Sequence, residues 1–267
     1  MVKARVLDAL RVAMRGVLVF LMLLVALGDY LVLRLRARAA FTEHDRAVWA
    51  RHWATEVLRL FGVECAIFGP VPQDGLVISN HLGYLDVLVL MAAHPSVFVS
   101  KKEIKSWPVF GWLAQCVGTI FVERRTRDDL PAVTKAMAEV LRRGQSIVLF
   151  PEGTSTNGQE GVLPFHAALF EAAVQAQVPV RPVCLRYTTP AGKPEPRAYY
   201  WGDDTLVLNI ARLVGARRLC AEVRFSTESK IFDGRHPAAM WSRAVIQEML
   251  AGKEKTVEPQ VSEATQR

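Results

Sequence analysis

Leu76-Val-Ile-Ser-Asn-His-Leu-Gly-Tyr-Leu-Asp86 places a histidine and an aspartate directly after a short apolar run. The run Leu76–Ser79 has the length and composition of a buried strand. Ligands in open α/β sheets bind beyond the carboxyl ends of strands, so we expect His81 at a ligand site. Asp86 follows five residues later, whereas an ideal helix pairs side chains three or four residues apart. The two side chains can therefore meet only through an irregular turn, which Gly83 permits.

A second strand-ending turn is Leu149-Phe-Pro-Glu-Gly-Thr154, which follows the apolar run at 146–150. Glu152 and Gly153 are predicted at the same edge of the sheet as His81, and the Gly153 N–H is expected to face a ligand oxygen. Taken alone, this segment could simply be a turn that ends a strand, and the histidine and aspartate could be in incidental contact.

A histidine held in one tautomer by a carboxylate can accept a proton through its free ring nitrogen. The sequence contains no Gly-x-Ser-x-Gly element that would supply a serine nucleophile. If His81 and Asp86 form such a pair, we therefore expect the nucleophile to be a group of the substrate, such as a hydroxyl.

Around these turns, short apolar runs alternate with amphipathic helical patterns. This alternation predicts an α/β fold with a mostly parallel or mixed central sheet flanked by helices. Strands are predicted at 63–68, 76–79, 96–100, 118–122, 146–150, 180–187 and 221–225. Helices are predicted at 128–143, 165–175, 205–213 and 238–250. The α/β domain is expected to occupy residues 62–251, and residues 252–267 are expected to be a disordered tail because they contain few apolar positions.

The positive charge of the chain is concentrated at its amino terminus. The 267 residues are 51% hydrophobic and carry a formal net charge of +7, a composition that excludes a disordered chain. Residues 1–40 hold seven Lys or Arg and two Asp, which gives +5. We expect this charge to face an anionic membrane surface. A nucleic-acid partner is not expected, because aromatic and basic residues are not interleaved.

An uncharged stretch, Gly16–Gly28, lies between these basic residues and continues beyond Asp29 to Leu33. It is about 13 residues long, whereas spanning a bilayer takes roughly 20. Two anchors remain open: a re-entrant hairpin with both ends on the cytoplasmic side, or one short spanning helix. A secretory signal is disfavoured because Arg34 follows the apolar stretch directly and no small-residue cleavage site follows it. Residues 1–61 are thus predicted to be membrane-anchoring helices, single-pass or monotopic, that hold the protein at the cytoplasmic face.

A second helix is predicted to begin with Thr42 as N-cap and Asp45 at the third helical position. Trp49 and Trp53 recur at helical spacing, so this helix faces either a bilayer interface or the protein core. The cysteines show neither metal-ligand spacing nor a disulfide framework, so we expect small buried side chains and no metal site. They are Cys65, Cys116, Cys184 and Cys220.

The two strand-ending turns are far more specific together than alone. Asn-His-x4-Asp followed by Phe-Pro-Glu-Gly-Thr resembles the glycerophospholipid acyltransferase family, which includes the 1-acylglycerol-3-phosphate acyltransferases. Lys102-Glu103-Ile104, Gly111 and the run Gly118–Arg124 resemble the family's second block, and Val178–Val183 resembles its fourth. The four blocks occur in the family's order.

The resemblance implies transfer of a fatty acyl group from an acyl thioester, either acyl-CoA or acyl carrier protein, to the hydroxyl of a lysophospholipid. The implied acceptor is 1-acylglycerol-3-phosphate and the product phosphatidic acid, with no cofactor besides the thioester co-substrate. It also implies that His81, oriented by Asp86, is the general base, and that Arg124 binds the acceptor phosphate. The residues implied in substrate binding are Lys102, Arg124, Glu152, Gly153 and Thr154.

One position departs from the family pattern. Many members that acylate lysophosphatidic acid have Arg directly after Phe-Pro-Glu-Gly-Thr, and this chain has Ser155. One cation directed at phosphate is therefore missing, so lyso-ornithine lipid or another lysolipid is an alternative acceptor. A thioester hydrolase that uses the His–Asp pair on water is an alternative from another class. A catalytically silent membrane-binding protein is disfavoured by the intact His81, Asp86 and Glu152.

Overall fold

A seven-stranded sheet forms the centre of the computed structural model, which describes residues 2–37, 41–107, 109–123, 130–159, 161–202, 204–216 and 218–252. The strands are β1 Val63–Phe68, β2 Gly75–Ser79, β3 Val97–Lys101, β4 Ile120–Val122, β5 Ser146–Leu149, β6 Val180–Thr188 and β7 Leu219–Phe225. Each of the seven predicted strands is confirmed, with ends shifted by at most two residues.

The sheet is mixed, as predicted, and its order is β1-β7-β6-β2-β5-β3-β4. The five strands from β6 to β4 run parallel to one another, whereas β7 pairs antiparallel with β6 and parallel with β1. Because β2, β5, β3 and β6 point the same way, their carboxyl ends meet at one edge. Both strand-ending turns identified in the sequence lie at that edge.

Helices cover both faces of the sheet. They are α1 Val2–Ala37, α2 Glu43–Phe61, α3 Leu85–Ala93, α4 Phe110–Cys116, α5 Leu130–Arg142, α6 Glu171–Ala176, α7 Leu206–Val214 and α8 Arg235–Leu250. Successive residues of a strand point to opposite faces, so Val77 packs with α2, α3 and α7 while Leu76 and Ile78 pack with α5, α6 and α8. The two apolar layers enclose the sheet between them.

Sequence reasoning missed α3 and α4. The sequence of α3, Leu-Asp-Val-Leu-Val-Leu-Met-Ala-Ala, is apolar almost throughout, so it lacks the polar face that reveals an amphipathic helix. The helix predicted at 165–175 begins as a 3₁₀ turn, Ala167–Phe170, and continues as α6. The start of the helix predicted at 128–143 and the tail predicted after Gly252 lie outside the described residues.

The amino-terminal helix α1 is uninterrupted over 36 residues, so the re-entrant hairpin is wrong. Its segment Leu10–Ala37 is long and apolar enough to cross a membrane by length and composition. The charged residues that interrupt or flank the apolar stretch form hydrogen bonds with other elements of the protein. Asp29 accepts a hydrogen bond from Trp53 Nε1 (3.1 Å), and Arg15 Nη1 donates to the carbonyls of Val214 and Ala216 (both 2.6 Å).

Arg11 and Arg15 were predicted to face an anionic membrane surface, but the structure places them at the carboxyl end of α7. Arg11 Nη1 donates to the Gly215 carbonyl (3.2 Å) beside the two bonds of Arg15. Positive charge at the carboxyl end of a helix satisfies carbonyls that have no partner within the helix. These two arginines therefore fasten α1 to α7.

The second helix, α2, begins as predicted and faces the core. Thr42 and Asp45 form a reciprocal capping box, and Gly62 ends the helix with φ 71°. Trp49 and Leu58 are buried in the apolar layer shared with α3, so the core-facing alternative is the one found. The predicted boundary between residues 61 and 62 stays a prediction, although α2 contributes to the core of the α/β domain.

Candidate active site

The side chain of Asn80 fixes the point where the chain leaves β2. Its Nδ2 donates to the Leu185 carbonyl (3.1 Å), and its Oδ1 accepts from the Leu185 N–H (2.8 Å). The Asn80 side chain thus extends the hydrogen-bonded pairing of β2 with β6 by one residue. The next residue, His81, consequently projects from the carboxyl edge of the sheet.

The irregular turn expected between His81 and Asp86 is present. Residues 80–83 have no regular structure, and α3 begins at Leu85, which places Asp86 in its first turn. Asp86 Oδ2 accepts from His81 Nδ1 (2.7 Å), from the Leu82 N–H (2.5 Å) and from the Gly83 N–H (3.0 Å). The carboxylate of Asp86 is fully buried, and these three hydrogen bonds hold the turn in place.

The other oxygen of Asp86 is bound by a residue that sequence reasoning missed. Tyr187, buried on β6, donates its hydroxyl to Asp86 Oδ1 (2.7 Å). Burial first, and then the nearby Asp86 charge, raise the pKa of Tyr187 well above its usual value. Tyr187 therefore remains a protonated donor. No local pattern marks it in the sequence of β6, where it stands between Arg186 and Thr188.

These contacts define which nitrogen of His81 can accept a proton. An ionised carboxylate only accepts hydrogen bonds, so the bond to Asp86 assigns the ring proton to Nδ1. Phe150 stacks on the imidazole with ring centroids 4.2 Å apart. The His81 side chain is partly exposed, and among the described residues none donates a hydrogen bond to its Nε2. Nε2 is thus available to a ligand.

Glu152 links the second strand-ending turn to the first. Its Oε1 accepts from the His81 N–H (2.7 Å), and its Oε2 accepts from the Leu163 N–H (2.9 Å). Burial raises the pKa of Glu152, and these two N–H groups partly oppose that effect. Both carboxylate oxygens are therefore engaged with backbone, which braces the peptide that carries His81.

The rest of the second turn wraps around the first. Gly153 has φ 77°, and its N–H, predicted to face a ligand, instead donates to the Phe150 carbonyl (3.3 Å). Thr154 is exposed. Ser155 Oγ donates to the Tyr200 carbonyl, and the Thr156 N–H donates to the His81 carbonyl (2.9 Å).

Gly83 is needed for close packing rather than for a left-handed backbone. A Cβ at this position would lie 3.1 Å from the Ala198 carbonyl oxygen and 3.1 Å from the Tyr200 nitrogen. The Tyr200 N–H donates to the Leu82 carbonyl (2.9 Å). The segment 198–200, which sequence reasoning also missed, therefore covers the turn that holds His81.

The remaining predicted residues lie apart from this cluster or outside the described chain. Lys102 follows β3 at the same sheet edge; its side chain is exposed, and its Nζ lies 3.9 Å from Glu123 Oε2. An exposed pair at this distance contributes little to stability. Arg124 lies outside the described residues. The structure thus brings together His81, Asp86, Glu152 and Gly153.

Comparison with known proteins places this geometry in a family. Residues 68–186, the range that contains both turns, match the model of the family described as Acyltransferase. The lyso-ornithine lipid O-acyltransferase of Rhodobacter capsulatus is 33% identical over 238 residues, which cover 84% of this chain and 83% of that protein. This chain belongs to the acyltransferase family.

Two further proteins resemble this acyltransferase chain, one in sequence and one in fold. The 1-acyl-sn-glycerol-3-phosphate acyltransferase of Neisseria gonorrhoeae is 41% identical over 154 residues, which span 58% of this chain and 60% of that protein. The crystal structure of the 1-acyl-sn-glycerophosphate (LPA) acyltransferase PlsC of Thermotoga maritima superposes with a TM-score of 0.66. That match covers 96% of this chain and 100% of the other at 16% identity, and it shows that the two chains share a fold.

Proposed function

We propose that the chain transfers a fatty acyl group from an acyl thioester to the free hydroxyl of a lysophospholipid, with His81 as general base. The observation that carries this proposal is the bond from His81 Nδ1 to the buried Asp86, which leaves Nε2 free at the sheet edge. Membership of the acyltransferase family supports the reaction class.

The proposed reaction needs no covalent enzyme intermediate. Nε2 of His81 takes the proton of the acceptor hydroxyl as its oxygen attacks the thioester carbonyl. The tetrahedral intermediate then collapses, and the carbon–sulfur bond breaks. The leaving thiolate of coenzyme A or acyl carrier protein takes the proton from the His81 imidazolium. General-base assistance of this kind contributes about 10²- to 10⁴-fold in rate.

Asp86 contributes through charge as well as orientation. When His81 accepts a proton, the imidazolium lies 2.7 Å from a carboxylate buried away from water. Attraction between opposite charges is stronger in such a low-dielectric environment than in water. The arrangement thus stabilises the protonated His81 that forms as the hydroxyl loses its proton.

We propose 1-acylglycerol-3-phosphate as the acceptor, with Lys102, Arg124, Gly153 and Thr154 on the substrate side of the site. Glu152 acts by holding the peptide of His81. The neisserial relative supports this acceptor by its name. A membrane-embedded α1 would hold the enzyme at the cytoplasmic face, where the lipid acceptor and the thioester donor meet.

Lyso-ornithine lipid is the second candidate acceptor, and Ser155 is the observation that favours it. Ser155 is uncharged, so this position presents no cation to a phosphate. Its hydroxyl donates to the Tyr200 carbonyl. The Rhodobacter relative named for this acceptor matches the greater share of both chains.

Replacing His81 with Ala should lower kcat/KM for acyl transfer by about 10²- to 10⁴-fold, because the proton acceptor is lost. Assay of labelled acyl thioester with lysolipid, together with the Tm of the variant, measures this. The matched control is His236→Ala at an exposed position of α8, which should retain full activity. Near-normal turnover by His81→Ala would contradict the proposal. So would release of free fatty acid by the wild-type chain at a rate independent of added lysolipid.

A panel of acceptors with one labelled thioester separates the two candidates. Ser155→Arg should raise the preference for 1-acylglycerol-3-phosphate over lyso-ornithine lipid by about tenfold or more, since a charge-assisted bond to phosphate is worth roughly 1.5–3 kcal/mol. Ser155→Ala removes the same bond to Tyr200 without adding charge, and its preference should match that of the wild-type chain. An unchanged preference in Ser155→Arg would show that this position does not face the acceptor headgroup.

A further inference from the structure

Three exposed apolar side chains lie in the first turn of α7 or in the segment just before it. Val207 and Leu208 are 77% and 52% exposed, and Trp201, which precedes the helix, is 50% exposed. The other side of the helix, which includes Asn209 and Leu213, is buried. Single exposed apolar residues are normal on a protein surface, but a group of them that includes a tryptophan indicates an interaction site. We refer to Trp201, Val207 and Leu208 as the α7 rim.

The helix that bears the α7 rim is fastened to α1. Arg11 and Arg15 of α1 hold the carbonyls of residues 214–216, and Val12 packs beside Gly215. The length and composition of α1 suit a membrane span, and apolar side chains on its surface are exposed. They include Leu10, Met14, Val17, Phe20, Leu21, Leu24 and Val25. The α7 rim therefore belongs to a helix that packs on α1, which among the described residues is the one helix long and apolar enough to cross a membrane.

The same helix is also connected to the candidate active site. Tyr84, between His81 and Asp86, donates its hydroxyl to Asn209 Oδ1 (2.8 Å), and Asn209 Nδ2 donates to the Tyr199 carbonyl (2.7 Å). Trp201 directly follows the segment 198–200 that covers the His81 turn. A surface that engages the α7 rim would consequently lie close to the His81 turn, whose exposed side we call the mouth of the site.

We propose that the α7 rim inserts into the interface of the bilayer that holds α1 and so forms a second membrane contact beside the candidate active site. A lipid interface fits this group because tryptophan is enriched at the boundary between headgroups and acyl chains. Apolar side chains that leave water there favour the bound state. This contact brings the mouth of the site to the surface that contains the lysolipid acceptor.

A spin label at position 207 of the full-length chain tests the contact. The variant is Val207→Cys in a background with Cys65 and Cys220 changed to Ala, bound to vesicles of phosphatidylcholine and phosphatidylglycerol. We expect collisions of the label with apolar oxygen to increase, and collisions with a water-soluble nickel chelate to fall several-fold, relative to the matched control Met240→Cys. Met240 is 75% exposed on α8, across the sheet from α7.

Equal nickel accessibility at the two positions would overturn the proposal. Dipolar broadening at position 207 would also overturn it, because that result would show a second copy of the chain covering the rim. Neither measurement involves turnover, so failure of the membrane contact is distinguishable from failure of the proposed acyl transfer.

A separate observation concerns Tyr187. Among the described residues, its hydroxyl is the donor recorded at Asp86 Oδ1, whereas three donors share Oδ2. A hydrogen bond to a carboxylate stabilises the charged form and fixes the rotation of the group. We infer that Tyr187 is a positioning residue for the His81–Asp86 pair, an inference that rests on the proposed function.

Tyr187→Phe keeps the ring and removes the donor, so it tests this inference. With Oδ1 unsatisfied, the Asp86 carboxylate loses the contact that fixes its rotation. The ring proton of His81 should therefore lose its preference for Nδ1 in nitrogen-15 NMR, and kcat should fall about tenfold, with KM for the thioester unchanged. Tyr199→Phe, a neighbouring tyrosine whose ring centroid is 6.5 Å away, is the matched control.

A lower Tm with an unchanged kcat and an unchanged His81 tautomer would show that the hydroxyl only stabilises the core, and would overturn the inference. The identity of the base itself is decided separately by His81→Ala.

Discussion

The burial of the Asp86 carboxylate is the constraint on which the rest of the site depends. A carboxylate removed from water is costly unless donors surround it. Here the donors come from two backbone N–H groups of the turn, from His81 and from Tyr187 on the adjacent strand. The burial of this one charge therefore stabilises the turn, the tautomer of His81 and the pairing of β2 with β6.

A second buried carboxylate extends the same principle to β5. Glu152 holds the N–H of His81 with one oxygen and the N–H of Leu163 with the other. The parallel order β6-β2-β5 brings Tyr187, His81 and Glu152 to one edge, although they are distant in sequence. This explains in physical terms why two strand-ending turns form one site.

Much of this arrangement could be predicted from local sequence patterns. Apolar runs predicted all seven strands, and the five-residue spacing predicted an irregular turn between His81 and Asp86. The partners that come from distant segments could not be predicted, because no local pattern marks Tyr187, Asn80 with Leu185, or the cover at 198–200. The length of α1 was underestimated for the same reason, since the partners of Arg15 and Asp29 lie in other elements.

The central claim is that Asp86 keeps the ring proton of His81 on Nδ1 and leaves Nε2 as the proton acceptor. Nitrogen-15 NMR of the histidine-labelled chain at neutral pH, with His81 assigned by comparison with His81→Ala, measures this directly. We predict a protonated Nδ1 and an unprotonated Nε2, and loss of this preference in Asp86→Ala. A proton on Nε2 in the wild-type chain, or the same tautomer in Asp86→Ala, would contradict the account.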